Sequence, residues 1–240
     1  MSTFSGGAPA PAPLYRRLWR RLLYIRYRLV QSHRHNRLVV ENVLGRAIVV
    51  LPQVFNPMLF RSGEFLARWA EAIVQPGQSV LDMGTGSGAG ALFAAGKGAH
   101  VVAVDINLVA VRCAMINALM HDVDKSIEVR QGDLFEPVAG ERFDVILFNP
   151  PYYEGAPRDT LDAAFHATDI MERFAIGLEG ALAPGGRAVL VVSSDASLAS
   201  WRDQLQTRAF SIEVLETRDL INEIVYVWSV TRSSEQQGNR

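Results

Sequence analysis

The sequence predicts an α/β protein: a seven-stranded, mostly parallel sheet with one antiparallel strand near the C-terminus and helices on both faces. Three observations carry this. From Gln75 onward, short Val/Ile/Leu runs alternate with segments of helical periodicity. The middle runs, such as "SVLDM", "HVVAVDI" and "FDVILF", are apolar almost throughout, as parallel strands covered on both faces must be. The last two runs, "SIEVLETRDL" and "EIVYVWSVTR", are joined by only a few residues, too few for a crossover, so they pair antiparallel.

The chain has 240 residues, enough for one large domain with an extension and a sizeable core. A net charge of -1 argues against a generally basic nucleic-acid binder, but it conceals an asymmetry. Met1 to Val40 contains no Asp or Glu, while eight arginines fall between Arg16 and Arg37. The single cysteine, Cys113, excludes an intrachain disulfide and a thiolate zinc site, and it fits a reducing compartment. The five His are scattered, so no metal is expected. No apolar run approaches the roughly 18 residues needed to span a bilayer. Arginines interrupt the segment where a secretory signal would be apolar, so the expected location is cytoplasmic.

Residues 1–13, "MSTFSGGAPAPAP", read as a small-residue disordered tail. In the next segment Leu14, Leu18, Leu22, Ile25 and Leu29 recur at helical spacing, among Arg16, Arg17, Arg20, Arg21 and Arg28. That is a basic amphipathic helix, either docked on its own domain or meeting RNA, an acidic partner or a membrane surface. "LVVENVLGRAIVVLP" reads as a hairpin turning at Leu44-Gly45-Arg46, completing an extension over residues 14–54. The domain proper, 55–232, opens with a loop and a helix that Ser62 is placed to cap. Helices follow over about Gly88 to Gly96, Leu108 to His121, Asp169 to Leu182 and Leu198 to Arg208. The Pro184-Gly185-Gly186 turn ends the third of these, and strand "RAVLVVSS" comes next. Trp201, Trp228 and Cys113 read as core, the last inert. Residues 233–240 form a polar tail.

The chemistry begins at "VLDMGTGSGAG", Val80 to Gly90. A strand ends at Asp82, and Gly84, Gly86 and Gly88 open the next helix. Glycines there let a ligand approach the backbone, and the helix N-terminus offers its N–H groups. Asp82 before the glycines would repel a dinucleotide phosphate but attract a ligand's ammonium group. Asp105 ends the next strand about 20 residues on, where a carboxylate can hold a ribose diol. Asp133 follows the third strand, suited to accept from a base amino group beside Leu134. Helix capping explains one or two such acids; three successive strand tips ending in Asp point to a nucleoside-bearing ligand.

The order D-x-G-x-G-x-G, an acid at the second tip, G-D-L after the third strand and N-P-P-Y after the fourth resembles class I, Rossmann-like S-adenosylmethionine-dependent methyltransferases. The resemblance covers about Phe55 to Arg232. It implies S-adenosyl-L-methionine as cofactor, with Asp82 and the loop Gly84, Thr85, Gly86 and Gly88 beside its methionine part. It also implies Asp105 and Ile106 at the ribose, and Asp133 with Leu134 at the adenine. A nicotinamide dehydrogenase would lack the Asp before the glycines and would have no use for N-P-P-Y.

Asn149-Pro150-Pro151-Tyr152 is a rigid corner at the end of a strand. The prolines have no N–H, so the corner offers the Asn149 side-chain oxygen and the backbone carbonyls of Asn149 and Pro150 as acceptors, with Tyr152 as a stacking face. This set matches a planar –NH2 group: acceptors for both hydrogens and a ring to lie on. Tyr153 is a candidate pocket wall. His166 and Asp169 read as caps or surface groups before pocket residues. N-P-P-Y resembles amino methyltransferases acting on glutamine amides or exocyclic base amines, and the chain looks most like the HemK group of protein-glutamine methyltransferases. The segment "VFNPMLFRSGEFL" is similar to the one that group places over the cofactor, which implies Glu64 near its methionine end. The sequence after N-P-P-Y departs from the group and also resembles small ribosomal-RNA methyltransferases. The expected acceptor is a protein glutamine; the alternatives are an exocyclic base amine in RNA, or a non-catalytic cofactor-binding scaffold.

Overall fold

The computed structural model describes residues 37–58, 62–151, 169–194, 196–220 and 223–233. The expectations for the Arg-rich segment, for Tyr152, Tyr153 and His166, and for the two polar tails lie outside these residues, Ser233 apart.

The chain enters through a hairpin, β1 (Val39–Val43) and β2 (Arg46–Val50), which pair antiparallel across the expected turn. Leu44 takes φ 49 and Gly45 φ 87 there, and the Asn42 side-chain oxygen accepts from the Gly45 N–H at 2.9 Å. Helix α1 (Ser62–Ile73) follows, and then the alternation: β3 (Ser79–Met83), α2 (Ala89–Ala95), β4 (His100–Asp105), α3 (Leu108–Met120), β5 (Ile127–Gln131), β6 (Phe143–Phe148), α4 (Ile170–Ala181), β7 (Leu182–Ser193), α5 (Leu198–Gln206), β8 (Phe210–Asp219) and β9 (Ile224–Arg232).

The seven-stranded sheet has the order β5-β4-β3-β6-β7-β9-β8. Strands β3 to β7 are parallel, and β9 inserts between β7 and β8 antiparallel to both. The expected reversed strand is therefore β9. The chain winds outward from β3 to β5 and then returns to β6 on the other side of β3, so β3 and β6 flank the point where the winding switches direction. Open α/β sheets bind ligands in that crevice, outside the carboxyl ends of the strands.

Alternate residues of the central strands face two buried layers. Val80, Val145, Leu147, Val189 and Val191 pack with α1, α2 and the hairpin residues Val43, Ile48 and Val50. Leu81, Met83, Ile146, Phe148 and Leu190 pack with Phe174 and Leu178 of α4, Leu205 of α5 and Trp228. Burying each of the larger of these side chains contributes about 2–3 kcal/mol at most. Trp201 and Trp228 are core, as their sequence context suggests. Cys113 is buried too, and burial pushes its thiol up to about 11, leaving it without thiolate reactivity.

Two local features depart from expectation. Leu182 already pairs with Phe143 immediately after α4, and the register then jumps to Arg187 opposite Val145. The Pro-Gly-Gly segment is thus a bulge inside β7 rather than a turn before it. Gly185 takes φ 76 there, which loops the extra residues out without leaving the sheet. Ser62, expected to cap α1, is instead its first residue.

The hairpin is bound to the sheet's own loops through Asn117 of α3, which is fully buried. Its Nδ2 donates to the carbonyls of Val49 (2.7 Å) and Ser87 (2.8 Å), and its Oδ1 accepts from the Val49 N–H (2.8 Å). The Arg46 guanidinium lies 4.6 Å from the Phe93 ring centre and donates to the Leu92 carbonyl.

Candidate active site

The glycine turn between β3 and α2 is held open and held still. Gly84, Gly86 and Gly88 have φ of 62, 56 and 82, where a side chain would cost about 1–2 kcal/mol at each position. A Cβ placed on Gly84 would find only the Phe148 ring, at 3.7 Å, so the turn lines open space. Beneath it lies Asp82, 1 % exposed. Its Oδ2 accepts from the Thr85 hydroxyl at 2.6 Å and from the Ala91 N–H at 2.8 Å. Burial pushes the Asp82 carboxyl up to about 6, against the pull of these two bonds. Asp82 therefore sits inside the turn as its brace, and any attraction it exerts on a ligand's ammonium group would act through space.

The turn is also tied sideways to β4. The Thr85 N–H donates to the Val104 carbonyl at 3.0 Å. The Asp105 carboxylate accepts from the Gly86 N–H (2.8 Å) on one oxygen and from the Asn107 N–H (2.9 Å) on the other. Burial raises the Asp105 pKa, and these bonds oppose it. Ile106 beside it is 64 % exposed. The Gly132 N–H donates to the Asp105 carbonyl at 3.0 Å, fixing the β5 tip to the β4 tip. Beyond it stands Asp133, paired at 2.5 Å with Arg173 of α4, and Leu134 is buried with φ 47.

The segment before α1 crosses this turn. Asn107 donates from Nδ2 to the Gln53 carbonyl at 3.0 Å, and Phe55 would lie 3.9 Å from a Cβ on Gly86. Asn56 is buried, donating to Glu41 at 2.8 Å and accepting from the Met58 N–H at 2.9 Å. Glu64 occupies the first turn of α1, half-buried.

On the other side of the crevice, Met83 pairs with Phe148, so Gly84 and Asn149 are the residues that follow the ends of adjacent strands. Phe148 is fixed by stacking on Phe174, with ring centres 4.8 Å apart. Pro150 is buried and Pro151 half-buried. Asn149 donates from Nδ2 to the hydroxyl of Ser62 at 3.1 Å. Asp169 is exposed at the start of α4.

The fold thus brings the glycine turn, Asp105 and Asn149 to one edge, with Asp133 at the next tip. Sequence reasoning did not single out Phe55, Asn107 or Arg173 for the site, and it gave Ser62 a different task. Phe55, Arg173 and Ser62 meet the site through contacts between distant segments, which no local spacing announces, whereas Asn107 also caps α3 locally by accepting from the Val109 N–H.

The residues present fit S-adenosylmethionine: a turn with open space above it, a helix N-terminus and a carboxylate at the second strand tip. Among the described residues no cluster of His, Cys, Asp and Glu could hold a metal ion. None of their helices is long and apolar enough to cross a membrane.

Residues 49–218 match the protein family described as Methyltransferase small domain. A Methanocaldococcus jannaschii protein provisionally named protein N5-glutamine methyltransferase is 34% identical over 185 residues, 73% of this chain and 90% of that protein. The release factor glutamine methyltransferase of Xylella fastidiosa is 32% identical over 160 residues, 59% of this chain and 58% of its own length. In three dimensions the chain is similar to the M. jannaschii tRNA m1G37 methyltransferase, with a TM-score of 0.60 over 82% of this chain and 55% of that one. At 18% identity that likeness is one of fold alone. Sequence, fold and site geometry agree: the chain belongs to the Methyltransferase small domain family and is an S-adenosylmethionine-dependent methyltransferase.

Proposed function

We propose that the chain methylates the side-chain –NH2 of a glutamine in a cytoplasmic protein of the translation apparatus. The observation that carries this is the register of β3 and β6, which sets Asn149 beside the glycine turn. Sequence relatives named as glutamine methyltransferases support the acceptor class.

S-adenosylmethionine, when bound, supplies an electrophilic methyl on a sulfonium; the C–S pair returns to sulfur as the N–CH3 bond forms. The protein's part is binding and orientation. Backbone groups of Gly84 to Gly88 would hold the methionine part, Asp105 and Ile106 the ribose, Asp133 and Leu134 the adenine, with Glu64 and the 53–58 segment as cover. An amide nitrogen is a poor nucleophile because its lone pair is shared with the carbonyl. The Asn149 Oδ1 and the Pro150 carbonyl would each accept one N–H of the substrate, with Tyr152 stacked on the amide plane. Binding both hydrogens as the nitrogen becomes tetrahedral localises the lone pair toward the methyl. The surplus proton leaves to water after transfer, so no dedicated base is required.

A second reading has one observation in its favour: the acid-free, Arg-rich segment 14–37 would attract RNA, whose exocyclic base amines are also planar –NH2 groups. The test is to incubate the full chain with radiolabelled S-adenosylmethionine and a lysate, then separate protein from RNA. Label on a glutamine of a protein supports the first reading; label confined to RNA overturns it.

A further inference from the structure

We propose that residues 14–29 of this chain dock by their leucine stripe on the outer face of α3, turning Arg16 and Arg20 away from the domain. The argument starts from an excess of apolar surface on α3 (Leu108–Met120). Its inner face is buried through Ala110, Cys113, Ala114 and Asn117. On the opposite side Leu108, Met115, Ile116 and Leu119 recur at helical spacing and, with Met120 beside them, are between 37 % and 61 % exposed. Arg112 interrupts this strip, and its stem is itself apolar. A helix that is apolar on both faces is one that is covered on both, and an exposed apolar strip of this length marks a docking surface.

The chain itself carries a matching strip. Leu14, Leu18, Leu22, Ile25 and Leu29, outside the described residues, fall within an arc of about 80° at helical spacing, with Arg16 and Arg20 opposite. As a helix, residues 14–29 would span about 24 Å, against about 20 Å for α3. The segment also ends in the right place. The described chain begins at Arg37, and Val40 of β1 pairs with Val49 of β2, whose backbone Asn117 of α3 holds. One strand spacing and one packing distance put β1 roughly 15 Å from the α3 axis, and residues 30–37 can reach about 26 Å. Leu38 and Val40, both exposed, continue the apolar surface toward the segment. Along β2, Ala47 meets His121 and Leu51 meets Cys113, so the chain arrives at the N-terminal half of α3. The segment would then lie antiparallel to α3. That seat brings Arg16, Arg17, Arg20 and Arg21 toward Asp122 and Asp124, which stand exposed just past the end of α3.

The test is hydrogen exchange on the full chain. Amides of residues 14–29 are expected to be protected at least about tenfold relative to those of residues 1–13, and Met115→Asp with Leu119→Asp should abolish the difference. Reciprocally, Leu18→Asp with Leu22→Asp, which leaves α3 intact, should make Met115 and Met120 oxidise several-fold faster in hydrogen peroxide. Wild-type amides of 14–29 exchanging like those of 1–13 overturn the proposal, as does protection that the α3 variant leaves unchanged. Protection lost on dilution, as a dimer separates, also overturns it and gives the face to a second copy. Methionines that oxidise as fast in the wild type as in the Leu18 and Leu22 variant overturn it too, leaving the face to another protein.

Discussion

The two sides of the crevice are built differently. On the cofactor side, Asp82 and Asp105 together accept four hydrogen bonds from the turn and its flanks, and the strand tips of β4 and β5 are bonded to each other. On the acceptor side, Asn149 hangs on a pair of prolines and a bond to a helix that lies far away in sequence. The first is a preformed cradle, shaped by bonds among its own polar groups. The second keeps its stiffness in the covalent chain, where two successive prolines follow Asn149. Such a division suits an enzyme that holds one fixed co-substrate and receives a different, larger partner on the other side.

If the division is correct, variants on the two sides should fail in different ways. The largest effect is expected at Asn149. Asn149→Ala should reduce methyl transfer by about 10³-fold while the cofactor Kd, measured by calorimetry, changes less than threefold. Asp105→Ala should show the opposite pattern, a cofactor affinity lower by about 100-fold, because the proposed ribose partner is lost and the Gly86 N–H loses its acceptor as well. Unaltered cofactor binding in that variant would break the comparison from the cofactor side.

Asp82 should reveal itself through pH. Its carboxyl is raised from 3.8 to about 6 in the folded protein, so the folded state holds this proton more tightly than the unfolded one. Its favourable contribution is complete below pH 3.8 and is lost as pH rises through about 6. The span is worth on the order of 3 kcal/mol. Asp82→Asn carries no such proton, so urea midpoints between pH 4 and pH 6.5 should be flatter for the variant than for the wild type. The smallest effect belongs to the Asp133–Arg173 pair, whose side chains are 30% and 39% exposed. Arg173→Ala should change the unfolding free energy by less than about 1 kcal/mol, since exposed pairs contribute little.

Much of the cradle was legible in the sequence because its parts are local. The spacing from Asp82 through Gly84, Gly86 and Gly88, and the acids ending successive strands, are fixed by one strand–turn–helix unit after another. The reversed β9 was legible for the same reason, since a short connection permits only an antiparallel pair. The direction of the Asp82 side chain was not: nothing in "VLDMGTG" says that the carboxylate folds under the turn rather than over it. Pro184-Gly185-Gly186 has the same local chemistry in a turn and in a bulge, and only the pairing of Leu182 with Phe143 decides between them. Ser62 with Asn149 and Arg173 with Asp133 are separated by 87 and 40 positions, and such meetings leave no periodicity behind.

The hairpin at the start of the described chain carries a lesson for anyone cutting this protein. The family match begins at residue 49, inside β2, which makes that position an inviting place to shorten the chain. Yet Asn117 binds the backbone of Val49 and the carbonyl of Ser87 with one side chain, so the second strand of the hairpin and the floor of the glycine turn share a single fastening. A truncate beginning there would lose β1 and Arg46, strip cover from Leu92 and Phe93, and leave the strand that Asn117 grips without its partner. The hairpin works as a hasp: removing it would loosen the place where the methyl donor is to be held.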